Sequence, residues 1–173
     1  MEQFGVASGA GAVGLFVKGQ NLPLPMHPFG SLPGPDECSA KVAIPGMQNI
    51  RSFHYTAMES RIASGRIDQP GLAAAWLRLR VPLIAARPNS PAMRVCAAAD
   101  FGNGISWTLP VDRYRFANTD MTLYLTRPPA GEWIGVDAIT ENGDFGLGLT
   151  RSTLFDIEGG VGVALQSLLI QQR

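Results

Sequence analysis

Ser90-Pro91-Ala92-Met93-Arg94-Val95-Cys96-Ala97-Ala98-Ala99-Asp100-Phe101-Gly102-Asn103-Gly104 is the stretch from which the fold is read. Serine followed by proline is the pattern of an N-cap with proline at the first helical position, where a missing N–H is no loss. Ala92–Asp100 then supplies strong helix formers, and Phe101-Gly102-Asn103-Gly104 ends the run with residues that tolerate left-handed backbone. The sequence predicts one helix, and strands surround it.

Before it, Phe53–Ala63 and Leu72–Leu83 read as two strands separated by a loop with Gly65, Pro70 and Gly71. Trp76-Leu77-Arg78-Leu79-Arg80 alternates with the period of a half-buried strand, and antiparallel pairing of the two is the simplest topology. After it, Arg115–Arg127, Trp133–Glu141, Phe145–Phe155 and Val161–Gln171 read as four consecutive antiparallel strands, with hairpin signals at Asn142-Gly143 and Glu158-Gly159-Gly160. The last is apolar on both sides: Val161, Val163, Leu165 and Leu169 on one, Ala164, Leu168 and Ile170 on the other around Gln166. Such a strand is expected to be covered twice, by the helix and by a second domain or subunit. One helix wrapped by a curved antiparallel sheet is the hotdog arrangement, an α+β fold, although the strand count also suits another α+β roll.

Further upstream, Val13–Val17 is a short strand-like run. It leads into a proline-rich stretch that includes Pro23, Pro25, Pro28, Pro33 and Pro35, which can neither sustain a helix nor supply a central strand. Fourteen basic residues balance fourteen acidic ones, with no Lys/Arg stripe to neutralise a phosphate backbone, so nucleic acid is not an expected partner. The two cysteines, Cys38 and Cys96, form no CxxC and have no His nearby, and no metal or other cofactor is expected. His27 and His54 are the only histidines and lie in no nucleophile-elbow context, which disfavours a Ser-His-Asp hydrolase. No signal-peptide pattern opens the chain and no apolar run approaches the roughly 20 residues of a membrane span, so a cytoplasmic location without membrane insertion is expected.

Several segments in succession carry a resemblance. They are Ala74-Ala75-Trp76-Leu77-Arg78-Leu79-Arg80, Ala98-Ala99-Asp100-Phe101-Gly102-Asn103-Gly104 and Phe116-Ala117-Asn118-Thr119-Asp120, then Leu125-Thr126-Arg127-Pro128-Pro129-Ala130-Gly131-Glu132-Trp133 and Gly162-Val163-Ala164-Leu165-Gln166-Ser167-Leu168-Leu169. Over about residues 53–173 the chain resembles the C-terminal hotdog domain of the acyl-CoA thioesterase II (TesB-like) family. The resemblance implies a double-hotdog protein in which two such domains pack sheet to sheet and acyl-CoA is hydrolysed to a fatty acid and CoA. On this reading residues 1–52 hold the remnant strand of a preceding hotdog domain plus a proline-rich linker, and residues 53–173 are the hotdog domain. A homodimer or a partner hotdog domain would supply the missing half.

The family holds its attacking water with an Asp, a Thr or Ser, and a Gln. Asp100 matches the first and Gln166 the last. For the hydroxyl, Asn118 occupies the most direct counterpart and Thr119 is one residue along; a shift of one residue on a strand turns a side chain to the opposite face. Chemically, a thioester hydrolase needs an acceptor to orient water and donors for the developing oxyanion, with no covalent nucleophile required. Each candidate also has a structural reading. Asp100 beside Gly and Asn is a natural helix terminator, and Gln166 in an apolar strand needs a buried partner whatever its role. Asn118 and Asp120 suit the pinning of strand register. Trp76, Trp107 and Trp133 read as core or interface anchors, and Arg113 or Arg127 as either solvated surface residues or contacts for CoA phosphates.

The rival readings are a non-catalytic hotdog subunit that binds acyl chains or completes an assembly, and a hotdog dehydratase. The second lacks its catalytic His, since His54 is expected on an early strand.

Overall fold

The computed structural model describes residues 11, 13–14, 29–38 and 51–173. Along the chain run α1 (Phe53–Ala57), β1 (Met58–Gly65), β2 (Ala73–Leu79), α2 (Pro91–Ala99) and α3 (Gly102–Ile105). The strands β3 (Tyr114–Leu125), β4 (Ile134–Asn142), β5 (Leu147–Asp156) and β6 (Gly159–Gln172) complete it. The six strands make one antiparallel sheet in the order β1-β2-β4-β5-β6-β3, open at both edges. Register irregularities at Ile62/Ser64, Asn118/Asp120 and Leu154/Phe155 bend it. This is the expected hotdog fold.

The helix starts where the sequence places it. Ser90 Oγ accepts from Met93 N at 3.2 Å, Pro91 is the first helical residue and Asp100 caps the end. Its buried side chains Val95, Ala98 and Ala99 lie with Ile105 of α3 on Ala75, Val136 and Leu154 of the sheet. The small residues Ala73 and Ala75 let the helix come close to β2, and the buried hydrophobic area they share is the main cohesive term.

Four expectations are corrected. Phe53–Ala57 is a single helical turn rather than the start of a strand, closed by Thr56 N and Oγ1 on Ser52 O and seated by the burial of His54 and Ala57. His54 therefore sits on a helix, with its ring 5.2 Å from that of Phe101. The second strand ends at Leu79, because Pro82 offers no N–H and the chain turns under Asn89, whose side chain bonds Leu83 N and Val81 O. Gly102 and Gly104 do not end the helical region in left-handed backbone; they belong to α3, and Gly102 is required for closeness to the sheet.

The fourth concerns the four consecutive strands. β4, β5 and β6 are joined by the two expected hairpins, but β3 pairs with β6 at the sheet edge and not with β4. The Pro128-Pro129-Ala130-Gly131 connection is a crossover. It is tied down by Asp156, whose side chain is fully buried and takes both Nη atoms of Arg127 (2.5 and 2.7 Å), Ala130 N (2.6 Å) and Glu158 N (2.8 Å).

The two sides of β6 differ. Ala164, Gln166, Leu168 and Ile170 are buried beneath the helices, whereas Leu165 and Leu169 on the outer side remain 37% and 38% exposed. Residues 29–38 cover one end of that outer side: Trp76 Nε1 donates to Pro33 O at 2.7 Å, and Cys38, Trp76, Trp133 and Phe155 form a second apolar cluster with Leu32. Trp107, the third tryptophan, is 9% exposed and bonds Ile67 O. Of the proposed Val13–Val17 strand, residues 15–17 lie outside the described residues, as do Pro23, Pro25 and Pro28 of the linker.

Candidate active site

The end of α2 carries Asp100 over the β3–β6 half of the sheet. Gln166, opposite Met121 on β3 and Thr150 on β5, points inward and is wholly buried. Its Nε2 donates to Asp100 O at 3.3 Å, and Asn118 Nδ2 donates to the Asp100 carboxylate at 3.0 Å. Three of the four sequence candidates thus meet, while Asp100 itself stays exposed at the surface.

Thr119 does not join them. The extra residue between Asn118 and Asp120 forms a bulge, so Asn118 (opposite Leu168) and Met121 (opposite Gln166) both face inward. Thr119 turns to the other side, where its Oγ1 lies 2.5 Å from Ser167 Oγ and Ser167 bonds Asp120. The bulge is what separates two adjacent residues that the sequence left as alternatives.

Beneath Gly102 lies a polar layer absent from the sequence candidates. Ser106 Oγ donates to Gly102 O at 2.9 Å and is 2.8 Å from Thr140 Oγ1, which is 2.7 Å from Thr150 Oγ1. Each hydroxyl has one proton. Since that of Ser106 goes to Gly102 O, Thr140 must donate to Ser106 and Thr150 to Thr140. The chain is closed, and it fixes the α2–α3 junction that holds Asp100 to the strand beside Gln166. Next to it are Ser152 Oγ and Gln166 Oε1, both buried and both without a hydrogen-bond partner among the described residues.

The remaining charged candidates have other work. Arg127 holds Asp156 with both Nη atoms, and Arg113 is exposed just before β3. Burial would raise the Asp156 carboxyl, but the Arg127 guanidinium and the N–H groups of Ala130 and Glu158 outweigh it and hold the group below the usual carboxylate range. Arg61 and Arg78 stack on Trp133 at 4.6 and 4.8 Å and share Glu59, so that tryptophan is an anchor rather than a base platform. An open depression of about 350 Å³ lies on the opposite, outer side of the sheet from Gln166, between Leu72, Ile139, Val163 and Leu165. Asp137 lies in it, and its partly desolvated carboxyl is raised above the ordinary range. Among the described residues no helix is long and apolar enough to cross a membrane.

Residues 35–170 match the family described as the acyl-CoA thioesterase C-terminal domain. Among solved structures, the acyl-CoA thioesterase II TesB2 of Mycobacterium marinum is 22% identical with a TM-score of 0.59, over 90% of this chain and 60% of that one. The tesB protein of Mycobacterium avium subsp. paratuberculosis is 15% identical, with a TM-score of 0.56 over 90% of this chain and 57% of that one. A hot dog fold protein of unknown function from Alicyclobacillus acidocaldarius is 12% identical with a TM-score of 0.60, covering 89% and 58%. These likenesses show the fold, and the chain spans about six-tenths of the length of each of these structures. No curated protein matches the chain.

Proposed function

The chain belongs to the acyl-CoA thioesterase C-terminal domain family, and from that premise we propose that it acts in the hydrolysis of an acyl-CoA thioester to a fatty acid and CoA. The meeting of Asp100, Asn118 and Gln166 at the end of α2 carries the reading. In it, Asp100 accepts a proton from water as the water oxygen attacks the thioester carbonyl carbon. The tetrahedral oxyanion then collapses, the C–S bond breaks, and the CoA thiolate takes the proton that Asp100 received, which restores the carboxylate. Asn118 orients the Asp100 carboxylate through its amide, and Gln166 holds the water.

Asp100→Asn keeps an oxygen for Asn118 but loses the base. It is expected to lower thiol release from short, medium and long acyl-CoA tenfold or more, the scale of lost acid–base assistance, with Gln166→Ala doing the same. Equal turnover by wild type and both variants would remove the assignment.

We further propose that residues 1–52 carry the remnant strand and linker of a preceding hotdog domain, and that a second hotdog domain or a second copy covers residues 53–173. Two features support the covering. β3 is a 12-residue edge strand with neither proline nor lysine, and Tyr124, Leu165 and Leu169 leave the outer side apolar and exposed. The alternative of a non-catalytic subunit is favoured by one observation, the complete burial of Gln166. Protein that binds acyl-CoA and releases no thiol would select it.

A further inference from the structure

Of the buried polar side chains that line the inner side of β4, β5 and β6, Thr140 and Thr150 are committed to the hydroxyl chain that ends on Gly102 O, and Ser152 and Gln166 are not. Ser152 is 2% exposed and Gln166 is not exposed at all. Gln166 Nε2 is fixed by Asp100 O, which leaves Oε1 as an acceptor with nothing to accept. Ser152 Oγ–H is a donor and acceptor in the same condition. Both oxygens converge: each lies 2.6 Å from the point where a Cβ on Gly102 would sit. Only glycine lets α3 approach while leaving the two groups side by side.

Buried polar atoms are almost always satisfied, so an adjacent pair that is not defines what it is built to receive. Gln166 Oε1 can only accept. A carbonyl oxygen or a thioester, which also only accepts, could take the Ser152 proton but would leave Gln166 Oε1 unsatisfied. Water has the complementary groups: it can donate one proton to Gln166 Oε1 and accept from Ser152 Oγ–H, keeping its second proton and second lone pair for other groups.

We propose that Ser152 is the hydroxyl that completes the water-holding set, in the role for which Asn118 and Thr119 were the sequence candidates. This rests on the hydrolase reading above. Ser152 is a positioning residue; it forms and breaks no covalent bond. It aligns a lone pair of the water while the proton released on attack goes to Asp100.

The test uses the full chain and a panel of butyryl-, decanoyl- and palmitoyl-CoA, with thiol release, KM and thermal melting measured on Ser152→Ala, Ser152→Cys, Gln166→Ala and the Ser152→Ala/Gln166→Ala double variant. Ser152→Ala is expected to lower kcat about tenfold with KM changed less than twofold. Its melting temperature should change little, because no protein group bonded to Ser152 loses its partner. Ser152→Cys, with a weak donor, should fall between, and the double variant should be no slower than Gln166→Ala alone. A merely structural serine would lower the melting temperature and leave kcat per folded molecule intact. Wild-type kcat in Ser152→Ala, with Gln166→Ala impaired, overturns the role of Ser152 and leaves the hydrolase reading standing. No thiol release by wild type on any of the three substrates overturns both.

Discussion

Asp156 and Asp100 are both carboxylates at the end of a secondary-structure element, and they live in opposite circumstances. Asp156 is fully buried and accepts from two guanidinium nitrogens and two backbone N–H groups, so its lone pairs are used. Asp100 is exposed, stands at a helix C-terminus where the macrodipole disfavours it, and takes one amide hydrogen bond on one oxygen. A carboxylate with its capacity filled is a structural lock. A carboxylate placed at a cost, with capacity left over, is available to a ligand.

The strongest way to break this contrast is to remove the lock. Asp156→Ala leaves Arg127 with only Glu158 and Pro128 O, strips the N–H groups of Ala130 and Glu158 of their acceptor and frees the β3–β4 crossover, and a loss of about 1–3 kcal/mol is expected in urea unfolding, the scale of donors left without a partner. Loss of less than 1 kcal/mol would mean that the crossover is held by something else. The same network sets an acid limit. Because the Asp156 carboxyl is held below its ordinary range, its contribution is whole above the unfolded-state value and drains away as the pH falls through the native one. Stability measured down a pH series should therefore fall on the acid side in wild type and fall less steeply in Asp156→Asn.

Asp100→Asn should reverse the pattern. Turnover falls, while stability rises by about 0.3–1 kcal/mol because a negative charge leaves the end of α2. A decrease in stability as large as that of Asp156→Ala would make Asp100 a second lock and remove the distinction.

Much of this architecture is written locally, which is why it was legible. The Ser90-Pro91 cap, the Asn142-Gly143 turn and the β5–β6 turn each depend on a few adjacent residues, and each is found. What depends on distant partners was not legible. β3 pairs with β6 across a crossover tied down by Asp156, 26 residues beyond Ala130, and the helical turn at Phe53–Ala57 is seated by the burial of His54 and Ala57. In the site, Asp100, Asn118 and Gln166 came from the resemblance. Thr150 and Ser152 were hidden because the apolar residues of β5 change sides: Leu147 and Leu149 are exposed on the outer side, while Thr150, Ser152 and Leu154 are buried on the inner. Where the larger apolar residues of a strand occupy both parities, alternation alone cannot say which side is buried.

The smallest expected effect tests the finest distinction, that between Asn118 and Thr119. Both lie at one bulge, and their side chains serve opposite sides of the sheet. Thr119→Ala removes an exposed hydroxyl bonded to Ser167, so stability should move by no more than about 0.5 kcal/mol and thiol release by less than twofold. Asn118→Ala removes the amide that holds the Asp100 carboxylate, and turnover should fall well beyond that. If the order is reversed, with Thr119→Ala the slower enzyme, the bulge lies one residue earlier in the working protein and Thr119 is the inward residue. The register of β3 can then be read from the pair of rates, because a bulge shifted by one position exchanges these two side chains between faces.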